Sequence, residues 1–107
     1  MATAEPERES SAGARPVFRR LVLKLSGESL QGPQGFGIHG ETIQAIAEEV
    51  NEIRELGVEV AIVVGGGNIF RGSRQKALAI ERTAADSMGM LATVINGIAL
   101  QDVLEKM

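Results

Sequence analysis

The sequence predicts an α/β fold built on a parallel sheet, and three observations carry that prediction. Two apolar, β-branched runs, Val17–Leu25 and Val58–Val64, each stop at a glycine loop, an amphipathic stretch lies between them, and a long proline-free apolar stretch follows. Strand, helix and strand within about 50 residues imply a right-handed βαβ crossover, since parallel strands need a connection that carries the chain back to the same end. Both strand carboxyl ends, and both glycine loops, then share one sheet edge. Open α/β sheets bind their ligands at that edge.

Each element has its own justification. Val17–Leu25 is rich in large apolar residues and halts at Ser26-Gly27, a strand ending in a turn. Gln31 to Gly40 holds Gly32, Pro33, Gly35, Gly37 and Gly40, a density that excludes a regular helix or a central strand and predicts a loop. Ile43, Ile46, Ala47, Val50, Ile53, Arg54 and Leu56 follow a helical stripe, with Glu48, Glu49, Glu52 and Glu55 solvated, Thr42 or Glu41 near the start and Gly57 as the stop. Val58–Val64 is almost continuously apolar, the pattern of a strand buried on both faces.

From about Ala79 to Lys106 a second helix is expected, with Ala84, Met88, Leu91, Ala92, Ile95, Ile98, Ala99, Val103 and Leu104 on a broad apolar face. Gly89 and Gly97 each cost that helix roughly 1 kcal/mol relative to alanine, which points to close packing against another helix, of this chain or of a second subunit, or to a local kink. Two strands leave both sheet edges unpaired and one helix face uncovered, a poor independent domain.

Composition narrows the function classes. The 107 residues are 44% hydrophobic and 23% charged, enough for one core. A net charge of -3 supplies no positive field for nucleic acid, and three phenylalanines without Trp or Tyr offer few stacking platforms, so no nucleic-acid partner is expected. The absence of cysteine removes disulfides, thiolate metal sites and cysteine nucleophiles, and a cytoplasmic location is the default. No uninterrupted apolar run nears the ~18 residues of a membrane span, so no membrane partner is expected. Met1 to Pro16 lacks an apolar core and is expected to be a disordered tail.

The chemistry sits in the loops. Gly65-Gly66-Gly67-Asn68 follows a strand, and glycines without Cβ atoms, able to take positive φ, let backbone N–H groups approach a phosphate; a plain tight turn has the same sequence. Arg71 could grip phosphate oxygens beside it. The P-loop pattern G-x-x-x-x-G-K-S/T is absent, and Phe70 stands where the Rossmann pattern needs its third glycine. Lys24 places an ammonium in an apolar strand just before Ser26-Gly27, costly unless it faces an anion or snorkels from an edge strand. His39, the one histidine, is expected to be a solvent-exposed loop residue.

Four segments run in order: Leu23-Lys24-Leu25-Ser26-Gly27-Glu28, Gly32-Pro33-Gln34-Gly35-Phe36-Gly37-Ile38, Gly65-Gly66-Gly67-Asn68-Ile69-Phe70-Arg71-Gly72 and Asp86-Ser87-Met88-Gly89-Met90-Leu91-Ala92-Thr93. Together they resemble the bacterial uridylate (UMP) kinases, within the amino-acid-kinase superfamily, over about Pro16 to Leu104. The resemblance implies a parallel-sheet αβα sandwich of the amino-acid-kinase type, of which residues 17–107 form the N-terminal, phosphate-acceptor-side portion without the C-terminal nucleotide-binding half. It implies an enzyme that transfers the ATP γ-phosphate to UMP, with Mg²⁺ entering on ATP, a homohexamer when full length, and an inactive fragment.

Residue by residue, the resemblance implies that Lys24, Leu25, Ser26 and Gly27 contact ATP phosphates, with Lys24 and Arg71 catalytic. Gly67 and Arg71 would meet ATP, Gly66 would meet UMP, and Asp86 the UMP ribose; without the resemblance, Asp86 near the helix start reads first as a helix-dipole partner. Gly32, Pro33, Gln34, Gly35, Phe36 and Gly37 resemble a segment associated with GTP activation. Gln101-Asp102 departs from the Arg-Asp common in GTP-activated relatives, which removes a positive charge that an effector would meet. The rival readings are a catalytically silent nucleotide-binding or assembly module, and a superfamily kinase acting on carbamate or an amino-acid carboxylate.

Overall fold

The computed structural model describes residues 15–70 and 79–107, and nearly all of the expected tail lies outside them, as do Arg71 and Gly72. Strand β1 (Arg20–Leu25), helix α1 (Gly40–Glu55), strand β2 (Glu59–Val64) and helix α2 (Arg82–Glu105) follow in order, with 3₁₀ turns at Gly27–Leu30 and Gly32–Gln34. The strands pair in parallel, from Arg20 beside Glu59 to Leu25 beside Val64. The α/β crossover is as expected.

β1 opens at Arg20 rather than at Val17, because its partner has nothing to pair earlier. The chain upstream of β2 is still turning at Gly57, whose φ of 92° lies in the left-handed region that ends a helix. Gly57 N donates to Arg54 O at 2.9 Å and so closes α1. The stop signal at Gly57 therefore acts as the sequence suggests.

The start of α1 differs from expectation. Neither Thr42 nor Glu41 caps it; the N-cap is His39, extended at φ -97° and ψ 121°, and its carbonyl accepts from Ile43 N at 3.0 Å. The imidazole is half-buried rather than solvent-exposed, with Nδ1 2.8 Å from Thr42 Oγ1 and the ring packed on Gly32. A Cβ at Gly32 would stand 2.6 Å from the ring, so this glycine makes room for the histidine.

Leu23 and Leu25 of β1, Val64 of β2, Leu30, Ile43, Ile46 and Val50, and Leu100 of α2 form the core. Both helices thus cover the same face of the sheet. The other face carries Val22, Lys24, Ala61 and Val63, all exposed, with Val22 at 62% and Val63 at 55%. The expectation that β2 is buried on both faces is corrected: alternate residues face opposite sides, and among the described residues only one side is covered.

Helix α2 corrects a second expectation. Its buried residues are Ala85, Ala92, Asn96 and Leu100, whereas Ala84, Met88, Leu91, Ile95 and Ile98 of the expected face are exposed. A helix apolar on nearly all sides has no periodic signal to choose its inner face, so the neighbour's shape decides. A Cβ at Gly89 or Gly97 would meet nothing within 4 Å, so neither glycine packs closely against a helix within the described chain. By length and composition α2 could cross a membrane, although polar residues interrupt its apolar run. An uninterrupted-run criterion misses it for that reason.

Burying a leucine contributes roughly 1.5–3 kcal/mol, and Leu30 is 0% exposed beneath the glycine loops. In the full-length protein, Leu30→Ala is expected to lower unfolding stability by about 2–5 kcal/mol in urea titration. Val17→Ala, on an exposed residue outside the strand, is expected to stay within about 0.5 kcal/mol.

Candidate functional site

The crossover places the turn after β1 and the turn after β2 side by side at the carboxyl edge of the sheet. Gly65 N donates to Leu25 O at 3.0 Å, which carries the ladder one residue past the strands. Beyond it the two loops touch. A Cβ on Gly27 would lie 2.4 Å from Gly67 N and 2.6 Å from Asn68 Oδ1. A side chain there would force the loops apart.

Gly66 is pressed from the other side, since its Cβ would stand 2.7 Å from Ala92 Cβ and 2.9 Å from Thr93 N of α2. Among the described glycines, positive φ values fall at Gly32, Gly35, Gly37 and Gly57, none of them in the triple glycine. Gly66 is thus required for lack of a side chain, while a Cβ on Gly67 would meet only the movable end of Glu28 and one on Gly65 would make ordinary contact; none of the three needs a left-handed backbone, which corrects that part of the expectation. The loop closes as a turn, with Ile69 N and Phe70 N each 3.0 Å from Gly66 O.

Two buried amides brace the loop. Asn68 Nδ2 donates to Asn96 Oδ1 at 3.1 Å, and Asn96 Nδ2 donates back to Asn68 Oδ1 at 2.7 Å. Asn96 Nδ2 also donates to Gly65 O at 2.7 Å, and Asn68 Nδ2 to Gly37 O at 2.8 Å. Gly37 N returns a bond to Asn68 O at 2.8 Å. The Gly32–Gly37 segment is thereby fastened to the triple-glycine loop, and both loops to α2.

The expected site residues are distributed as follows. Leu25 is buried in the core, and its carbonyl holds Gly65. Ser26 is exposed, its Oγ 3.0 Å from Ser29 Oγ. Lys24 is also exposed, opposite Val63 on the uncovered face, and among the described residues it has no ion-pair partner. Among the described residues no layer covers this face, so Lys24 stands there as an exposed lysine of the strand. Two residues of strand, about 6.6 Å, separate Lys24 from Ser26, within the span of a four-carbon side chain.

Asp86 lies on the first turns of α2, exposed, with Oδ2 4.0 Å from Arg82 Nε. Six residues of helix, about 9 Å, separate it from the Ala92 step that meets Gly66. Pro33, Gln34, Gly35 and Phe36 are exposed, and Gly35 at φ 79° ends the 3₁₀ turn over them. Arg71 lies outside the described residues.

Three residues acquire parts that their sequence positions did not assign. Glu28 puts its carboxylate against Gly67, 2.7 Å from where a Cβ would stand. An anion bound at Gly67 meets that negative charge, so cations must offset it. Asn68 and Asn96 are 5% and 0% exposed. The available signal for Asn96 was an amide inside an apolar helical run, since an amide buried without partners is costly.

With this geometry in view, similarity to known proteins is informative. A family model described as the amino acid kinase family matches residues 19–107. A uridylate kinase of Roseobacter denitrificans is 50% identical over 105 residues, covering 98% of this chain, and one of Photorhabdus laumondii is 51% identical over 96 residues, covering 90%. The chain spans about 40% of the length of these two relatives. Among solved structures, a UMP kinase from Bacillus anthracis aligns with a TM-score of 0.77 at 42% identity, over 83% of this chain and 36% of that one. A UMP kinase from Ureaplasma parvum aligns with a TM-score of 0.75 at 43% identity, over 83% of this chain and 39% of that one.

The two kinds of glycine should respond oppositely to a methyl group. Gly27→Ala is expected to destabilise by about 1–3 kcal/mol through overpacking. Gly89→Ala, with open space around it, is expected to gain up to about 1 kcal/mol of helix propensity. Denaturant unfolding of the two variants beside the parent checks both signs.

Proposed function

The chain belongs to the amino acid kinase family, and from that premise we propose that its protein transfers the γ-phosphoryl group of Mg-ATP to the phosphate of UMP. The single observation that carries the reading is the backbone contact between the turn after β1 and the triple glycine after β2, at the ligand-binding edge of a parallel sheet. The similarity to uridylate kinases supports the choice of acceptor.

In this reading an oxygen of the UMP phosphate attacks the γ-phosphorus in line, the bond from that phosphorus to the bridging oxygen breaks, and UDP and ADP leave. The second pKa of a phosphate monoester is about 6, so the nucleophile is already mostly ionised at neutral pH and needs no general base. The protein's work is positioning and charge compensation. Lys24, at the end of β1, offsets negative charge at the transferred group, and magnesium arrives on ATP as part of the substrate. Both oppose the Glu28 carboxylate as well as the crowded phosphates.

Ser26, Gly27 and Gly67 line the ATP phosphates, Gly66 faces UMP, Arg71 joins the phosphates, and Asp86 takes the ribose hydroxyls. These 107 residues form the acceptor-side portion of the site. The uncovered sheet face and the 40% span of the relatives support an inactive isolated chain.

The test is ADP release by the full-length protein with and without UMP. Lys24→Met is expected to reduce kcat by about 100-fold or more while the thermal transition stays in place. ADP release that follows carbamate or an amino acid instead of UMP would overturn the choice of acceptor. Nucleotide binding without turnover would overturn the enzymatic reading.

A further inference from the structure

We infer that Asn96 is a positioning residue: through its amide it sets the direction of the Gly66 N–H and, with Asn68, holds the two glycine loops in one shape before ligand arrives. The inference rests on reading these loops as the phosphate site, and it names a residue of α2 that none of the four sequence motifs contains.

Three consecutive glycines have more conformational freedom to lose than any other tripeptide, and their own φ values provide no left-handed lock. An outside constraint has to select one conformation. Asn96 Nδ2 donates to Gly65 O at 2.7 Å. The Gly65 carbonyl and the Gly66 N–H belong to one planar trans peptide and point in opposite directions. Drawing the carbonyl toward α2 therefore turns the Gly66 N–H away from the helix.

The second half of the brace works on the neighbouring loop. Asn68 holds Gly37 by two bonds, side chain to carbonyl and carbonyl to N–H, each 2.8 Å. All four amide hydrogens of Asn68 and Asn96 are used, and each side-chain oxygen accepts from the other residue. A purely apolar pair would fill the space equally well. Leucine at position 96 has nearly the shape of asparagine, yet it can orient no carbonyl and leaves Asn68 without its reciprocal partner.

The measurement is hydrogen–deuterium exchange on the ligand-free full-length protein, followed over the peptide containing Gly65, Gly66, Gly67 and Asn68. In Asn96→Leu that peptide is expected to exchange about 10-fold faster, with α1 and β1 unchanged. KM for the nucleotide substrates should rise about 10-fold, with a smaller change in kcat. Leu100→Ala, one turn along the same helix face, serves as the stability control and should leave both loop exchange and KM unaltered. If Asn96→Leu does not fold, Asn96→Gln keeps the amide but displaces it by one methylene and is read in the same way.

Unchanged loop exchange, or exchange accelerated equally throughout the chain, overturns the inference. Local acceleration in a protein whose parent form shows no nucleotide-dependent turnover leaves the positioning role supported and overturns the kinase reading alone.

Discussion

The backbone of Gly27 lies against the backbone of Gly67, and this contact governs the rest of the molecule. It exists only because α1 returns the chain so that β2 can pair in parallel with β1, residue for residue, up to Leu25 and Val64. It tolerates no Cβ on Gly27, and the Gly66 contact with Ala92 tolerates none on its own side. The triple glycine is thus a thin layer held between the turn after β1 and helix α2. Side chains were given up at this point so that three backbone segments meet.

Helix α2 is shaped by the same constraint. Where it meets the loop it presents Ala92 and Thr93, and one turn further on the Asn96 amide. Small residues permit the approach, and the amide supplies the polar partner that buried loop carbonyls require. Leu100, another turn along, enters the core with Val64. Loop contact, amide brace and core contact therefore succeed one another along a single side of the helix, while larger apolar residues such as Leu91 and Ile98 are exposed.

Charge at the sheet edge is divided. Glu28 sets a carboxylate against Gly67, and Lys24 stands on the uncovered face opposite Val63. In the proposed reading, a phosphate between the loops meets the Glu28 carboxylate, so the balance depends on cations that accompany it. In the proposed reading, charge compensation rather than acid–base chemistry is the task of this edge.

Much of this was legible in the residues themselves. The apolar runs ending at Leu25 and Val64, the helical stripe from Ile43 to Val50 and the glycine stop at Gly57 are local signals, because strand and helix periodicities and the sterics of glycine act within a few residues. The motif order was legible for the same reason, and it pointed to the family that similarity then supported. What only the tertiary structure decided was which side of each element is inward. Alternation in β2 was hidden by continuous apolarity, the inner face of α2 by apolar residues all round, and the roles of Asn68 and Asn96 by their separation of 28 in sequence. Those are properties of contact between distant segments, and an amide's partner is set by the shape of the fold around it, not by its neighbours in the chain.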